Sequence, residues 1–303
     1  NSTLLATCCG MNHLSTTNGA GGVLDLYYDE WKLKCTLNNQ KYADCMLDLY
    51  NATYAQNEGL WTHPYGEFDT QHLWAHVDRI GVRLPDALSA VGNDADDVDM
   101  NEYEDKKDGR MKKRSTSSSR KRQRNVQRSL TPHFDCCPDQ LYSGGGKDFP
   151  RWRPIQCMLS LTDTLSPNEG GFECAKGFHH LFNEYYQNKK RNGSGNNGGS
   201  ASSDLPCVGD YIHVHPNDDS DLMQRIQHVN VPAGAAVFWD QRIPHSNSYR
   251  NDSTKCREVI YGGFLPRGVD INDRYAKEQY RRLVANERQP DFWTKQYENR
   301  SSG

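Results

Sequence analysis

The chain is 303 residues long, carries a net charge of -3 with an isoelectric point near 6.4, and is 35% hydrophobic with a mean hydropathy of -0.89. That length fits one large domain or two small ones and is enough to bury a core, while the near-neutral charge gives no global electrostatic case for binding nucleic acid or a membrane surface. No apolar run approaches bilayer-spanning length and no signal peptide is visible.

Residues 1–22 are rich in Ser, Thr, Asn and Gly and are expected to be loose; the first residue is Asn1 rather than Met, so an upstream piece is expected. Val23, Leu24, Leu26, Tyr27 and Trp31, and then Tyr42, Cys45, Met46, Leu49, Tyr50 and Tyr54, recur at three- and four-residue steps, which predicts two amphipathic helices. Thr70 is placed to cap a third helix carrying Leu73, Trp74, Val77 and Ile80, which Gly81 and Pro85 would end. This N-terminal helical part, 1–88, is expected to pack on a β core.

From 89 to 128 the chain is first acidic and then, over 106–128, strongly basic. With almost no apolar residue it cannot offset the entropy of ordering, which predicts a disordered insert. A basic run of this kind serves elsewhere as a nuclear address or a nucleic-acid patch; the plainer reading is a solvated loop whose two halves partly neutralise each other.

Beyond the insert the pattern changes to strands, at 128–134, 155–162, 171–174, 211–214, 227–231, 235–239 and 258–265, separated by Gly, Pro, Asn and Asp clusters. Short strands so spaced predict a mainly β fold with flanking helices, a jelly roll over 129–268. A Gly/Asn/Ser tract at 188–203 reads as a flexible surface insertion within it. A last helix at 273–288, with Tyr275, Tyr280, Leu283 and Val284 on one side, belongs to a C-terminal part, 269–303. Ten cysteines are too sparse for a disulfide scaffold, and the adjacent pairs Cys8-Cys9 and Cys136-Cys137 suit thiols. A reducing, cytoplasmic compartment is therefore expected, with the nucleus the alternative that the basic run offers.

Chemistry concentrates in Thr131-Pro132-His133-Phe134-Asp135. On an extended segment His133 and Asp135 point the same way, because side chains alternate faces. With His245 they would make a two-His-one-carboxylate set, which leaves open positions on ferrous iron for a chelating co-substrate and dioxygen. Arg257 lies twelve residues after His245 with Asn251-Asp252 between them. A hairpin centred on Asn251 would put 245 and 257 opposite each other, with the guanidinium able to grip a dicarboxylate.

Other pairs compete. His76-Val77-Asp78 falls in the predicted third helix, where residues two apart diverge, so both read as surface residues; His72 and His76 share a helix face but lack the Glu of His-Glu-x-x-His. His213-Val214-His215 could hold a metal with Asp218, Asp219 and His228, yet Pro216 and the polar run after it favour exposed histidines at a strand end. Trp61, Trp74, Phe149, Arg151, Trp152 and Arg153 lie in stretches that could frame an entrance.

The motif at 131–135, Ile155-Gln156-Cys157-Met158-Leu159-Ser160-Leu161-Thr162-Asp163, Pro167-Asn168-Glu169-Gly170-Gly171-Phe172-Glu173, Gly177-Phe178-His179, and the run from Ala233-Gly234 through Phe238-Trp239-Asp240 to Pro244-His245 and Arg257 together resemble the phytanoyl-CoA dioxygenase family of iron(II)/2-oxoglutarate oxygenases. The matching blocks run from about 129 to 266, and their order and joint presence carry the likeness more than any single block. The resemblance implies a double-stranded β-helix, a cupin-like barrel, with Fe(II) on His133, Asp135 and His245 and with Arg257 holding the distal carboxylate of 2-oxoglutarate. It places Asn247 where relatives often carry a small hydroxyl residue touching the co-substrate, and Leu159 at a strand position facing the pocket. Hydroxylation of a small-molecule or lipid-like substrate by dioxygen, with release of succinate and CO2, is the implied activity. No membrane partner is expected, and nucleic acid only through the basic insert. The alternatives are another metal-dependent enzyme centred on His213 and His215, or a non-catalytic binding protein on the same scaffold.

Overall fold

The computed structural model describes residues 22–55, 68–91, 124–125, 127, 130–138, 141, 151–193, 211–287 and 289. Twelve strands are found among them: β1 Val23–Leu24, β2 Asp69–Arg83, β3 Ala90–Val91, β4 Arg124–Asn125, β5 His133–Phe134, β6 Ile155–Ser160, β7 Phe172–Cys174, β8 Ile212–His213, β9 Gln227–His228, β10 Ala236–Asp240, β11 His245–Asn247 and β12 Arg257–Arg267. The principal helices are α1 Glu30–Cys35, α2 Gln40–Thr53, α3 Asp86–Ser89, α4 Phe182–Gly193, α5 Ser220–Met223 and α6 Asp270–Val284.

The strands form two five-stranded antiparallel sheets, ordered β1-β2-β12-β6-β10 and β8-β5-β11-β7-β9, and a short β3-β4 pair. Alternation gives each strand of a large sheet two packing faces. Met158, Trp239 and Val259 of the first sheet meet Phe172 and Cys174 of the second in the layer between them. The opposite face of the first sheet, with Ile155, Cys157 and Phe264, is covered by Tyr42, Met46 and Tyr50, a one-turn-apart stripe of α2. Three tyrosine hydroxyls of that helical segment fix it: Tyr42 donates to the Gly262 carbonyl (3.3 Å), Tyr50 to the Phe264 carbonyl (3.0 Å) and Tyr54 to Asp240 Oδ2 (2.6 Å). The second sheet is backed by α4 and the turn before it, where Phe178, Phe182 and Tyr186 pack on Phe134 and Ile212.

Several expectations are corrected. The third helix predicted at 70–81 is the long strand β2. Its apolar residues fall by coincidence at helical spacing, and their lack of period-two alternation follows from β2 being covered on both faces over 76–83. Val23 and Leu24 belong to a strand rather than to the first helix. In α6 the core side carries Asn272, Tyr275, Ala276 and Gln279, while Tyr280 and Val284 are exposed. The ends of the 89–128 insert pair as β3 and β4, and Gln127 is buried, donating to the Val82 carbonyl (2.7 Å) and accepting from the Leu84 amide (2.8 Å); the acidic and basic stretches between lie outside the described residues. The 188–203 tract begins within α4, and its remainder also lies outside them. Cys137 is disulfide-bonded, against the expectation that the Cys136-Cys137 pair is two thiols, whereas Cys35, Cys45, Cys157, Cys174 and Cys256 carry free thiols. Among the described residues no helix is long and apolar enough to cross a membrane.

Candidate metal centre

Strand register assembles the centre. His133 on β5 stands directly across from His245 on β11, so their Cβ atoms are about 5 Å apart, and their rings lie 4.5 Å apart. Asp135, two residues on from His133, faces the same way: its Oδ1 is 3.5 Å from His133 Nε2 and its Oδ2 3.8 Å from His245 Nε2. The three donor atoms lie within 4.8 Å of one another, and this is the group able to hold a metal ion among the described residues.

The donor chemistry fits such an ion. His133 Nδ1 sits 2.8 Å from the Thr131 carbonyl and His245 Nδ1 3.0 Å from the Ile243 carbonyl. Since a carbonyl only accepts, each Nδ1 carries a proton, and Nε2, on the side of Asp135, is the ring atom that would bind a metal. Burial, aided by His133, pushes the His245 imidazole down to about 4, so it is neutral near pH 7. Burial alone would raise the Asp135 carboxyl; His133, His245, the Arg153 guanidinium and the Gln156 amide outweigh it and hold the group below the usual carboxylate range. Tyr211, Phe172 and Trp239 wall the centre, with ring centroids 4.8 Å from His133 and 5.8 and 5.1 Å from His245. The Trp239 indole Nε1 is buried without a hydrogen-bond partner among the described residues.

Arg257 reaches this space by another route than the one the sequence suggests. β11 and β12 lie in different sheets, so the connection through Asn251 crosses between sheets instead of forming a hairpin, and Arg257 stands opposite Arg83. Its side chain nevertheless meets β11 across the gap. Nη2 donates to Asn247 Oδ1 (2.8 Å) and lies 3.4 Å from Met158 Sδ, while Nη1 donates to the Tyr261 hydroxyl (3.3 Å), to which Asn247 Nδ2 also donates (3.1 Å). Arg257 is 2% exposed, and no carboxylate among the described residues lies within ion-pair distance of it. Gly170 makes room for it: the backbone there is left-handed (φ 70°), and a Cβ would come within 2.9 Å of Arg83 Cγ and 3.4 Å of Arg257 Cβ.

Leu159 is not part of this space. It stands on the face of β6 opposite to Gln156 and Met158, so Met158 takes the wall position expected of it. His76 and Asp78 are not surface residues. Being on a strand they share a face: His76 is buried, its ring 5.7 Å from that of Tyr275, and Asp78 joins the centre through Arg153. His213 is half-buried, its Nδ1 2.9 Å from Thr131 Oγ1 and 3.0 Å from the Tyr211 hydroxyl, and burial pushes it down to about 4, whereas His215 is exposed. Trp152 is core and Trp74 donates to Asp273 (2.7 Å); Trp61 and Phe149 lie outside the described residues. Tyr261 and Met158 could have been found in the sequence from the even spacing of 257, 259 and 261 and of 156 and 158.

Fold and centre together define a mainly β protein of two facing sheets with a His-Asp-His group between strands. No protein-family model matches the chain, and no curated protein does. Among solved structures it is similar to hypothetical protein JW0805 of Escherichia coli, with a TM-score of 0.60 and 12% identity over 96% of this chain and 68% of that one. It is also similar to the GlcNAc-inducible gene 2 product GIG2, a DUF1479 protein of Candida albicans (TM-score 0.55, 13% identity, 95% of this chain and 62% of that one). A third is a Salmonella typhimurium LT2 protein whose assignment as an oxidoreductase is provisional (TM-score 0.57, 12% identity, 95% and 70%). At these identities the likeness is one of fold.

Proposed function

We propose that the chain is an Fe(II)- and 2-oxoglutarate-dependent dioxygenase of the phytanoyl-CoA dioxygenase type, hydroxylating a small-molecule or lipid-like substrate. The observation that carries this reading is Arg257. A buried guanidinium without a counter-charge costs several kcal/mol, and this one sits beyond the His-Asp-His group, where an anion would relieve it. Asn247, its partner, is two residues from His245 on the same strand, so the far end of the space is about 7 Å from the centre, a distance a five-carbon diacid can span. Strand order supports a jelly roll: counting β2, β5, β6, β7, β9, β10, β11 and β12 as first to eighth, the sheets run first-eighth-third-sixth and second-seventh-fourth-fifth, as two interleaved Greek keys would. A structural neighbour assigned, provisionally, as an oxidoreductase agrees with it.

Ferrous iron with 2-oxoglutarate and dioxygen would supply the oxidation, giving succinate, CO2 and a hydroxyl on substrate carbon. His133 and His245 would bind through Nε2 with their Nδ1 protons held by carbonyls, and Asp135 through one carboxylate oxygen. Arg257, steadied by Asn247 and Tyr261, would orient the distal carboxylate through parallel N–H groups. The rings of Tyr211, Phe172 and Trp239 would keep bulk water from the centre.

The test is succinate formation after an oxygen pulse to protein loaded anaerobically with ferrous iron and 2-oxoglutarate, across a panel of metabolites. His133→Ala and Asp135→Ala are expected to abolish it, and full activity in either would remove the assignment.

A further inference from the structure

Arg153, which the sequence offered only as one basic residue near an entrance, is held between two carboxylates. Its Nη1 lies 2.9 Å from Asp78 Oδ2 and its Nη2 3.2 Å from Asp135 Oδ2, with the three side chains 17%, 14% and 23% exposed. Asp78 is in turn held by Arg79 Nε (3.3 Å), and its backbone carbonyl by Lys32, so the far anchor of the bridge is itself fixed. Asp135 therefore presents two unlike oxygens: Oδ2, 3.8 Å from His245 Nε2, is also engaged by a guanidinium, whereas Oδ1 lies 3.5 Å from His133 Nε2.

We propose that Arg153 is a positioning residue that keeps Asp135 monodentate by occupying Oδ2 from the Asp78 anchor, and so preserves an open coordination position that a bidentate carboxylate would fill. The inference rests on the metal reading above and adds to it a role for the 76–78 motif on β2. A carboxylate free to turn binds a divalent ion through both oxygens; one held by a charge-assisted bond to a guanidinium turns at the cost of that bond. Metal affinity is not the discriminating quantity. Removing a cation beside the site strengthens cation binding by Coulomb attraction while loss of orientation weakens it, and the two oppose. The number of positions left to solvent has one sign only.

The probe is Mn(II), and the measurement is water-proton relaxation per bound Mn(II) in the full chain. Three protein donors leave three positions in an octahedral ion, so loss of one lowers the bound-ion contribution by about a third. Arg153→Met, which keeps the stem's packing, is expected to show that fall, together with a kcat lower by about 10- to 100-fold and little change in KM for 2-oxoglutarate. Arg153→Lys, which can still engage one oxygen, is expected to restore the relaxation. Should Arg153→Met fail to fold, Asp78→Asn is read instead, and the same direction of change is expected. Equal relaxation per bound ion in wild type and Arg153→Met overturns the positioning role alone. A wild-type chain that binds no Mn(II) overturns this role together with the metal reading, so the two failures are distinct.

Discussion

At the scale of the residue, the centre is made by a few side chains whose partners fix their protonation and direction. Carbonyls at Thr131 and Ile243 set the tautomers of His133 and His245, and Asn247 and Tyr261 hold Arg257. Truncating one member of a desolvated charge pair costs about 2–5 kcal/mol. Arg257→Met is therefore expected to raise the KM for 2-oxoglutarate tens- to thousands-fold while leaving iron content unchanged. Steady-state kinetics with metal analysis checks it, and an unaltered KM would show that the diacid is anchored elsewhere. His133 and Asp135 were legible in the sequence because a two-residue spacing on a strand is a local property, and His245 only through the likeness of the blocks around it. The neighbours were not: Asp78 and Arg153 approach Asp135 from distant strands, and whether residues 76 and 78 diverge or align depended on β2 being a strand.

At the scale of the element, α1 is pinned to β2 by one buried ammonium. Lys32 Nζ donates to the carbonyls of Leu26 (2.9 Å), Tyr27 (3.1 Å) and Asp78. Burial lowers its pKa to about 8, against the pull of Asp78 and Asp29. A folded value below the unfolded one, roughly 10.4, means that the unfolded chain binds more protons between the two, so this group's contribution to stability rises with pH across that window. Lys32→Met removes the step. The wild-type-minus-variant difference in unfolding free energy is expected to grow by about 3 kcal/mol from roughly pH 8 to 10.5, measured by urea titration; a flat difference would contradict it. Most strands after residue 150 could be read from turn residues and β-branched runs, but β2 could not. A strand packed on both faces loses the alternation that identifies it, and Leu73, Trp74, Val77 and Ile80 then imitate a helix. The hairpin expected between His245 and Arg257 failed for a related reason: a short polar link fits a hairpin and a crossing between sheets equally well.

At the scale of the whole molecule, the centre exists only when both sheets are formed, since His133, Asp135 and His245 are brought by β5 and β11 and Arg257 by β12 of the other sheet. Metal and diacid should then bind the folded chain alone and stabilise it, by about 2.7 kcal/mol at a hundredfold excess over the dissociation constant. Thermal unfolding with Mn(II) and 2-oxoglutarate together is expected to show an upward shift that Arg257→Met reduces, and an unmoved midpoint would argue against a preformed site. The central claim is that three side chains, and not the His213-His215 pair, hold the iron. Anaerobic equilibrium dialysis with ferrous iron tests it most directly: one iron per chain is expected in the wild type and in His213→Ala, and none in His133→Ala, Asp135→Ala or His245→Ala. Iron kept at full stoichiometry by Asp135→Ala, or lost from His213→Ala, would contradict it.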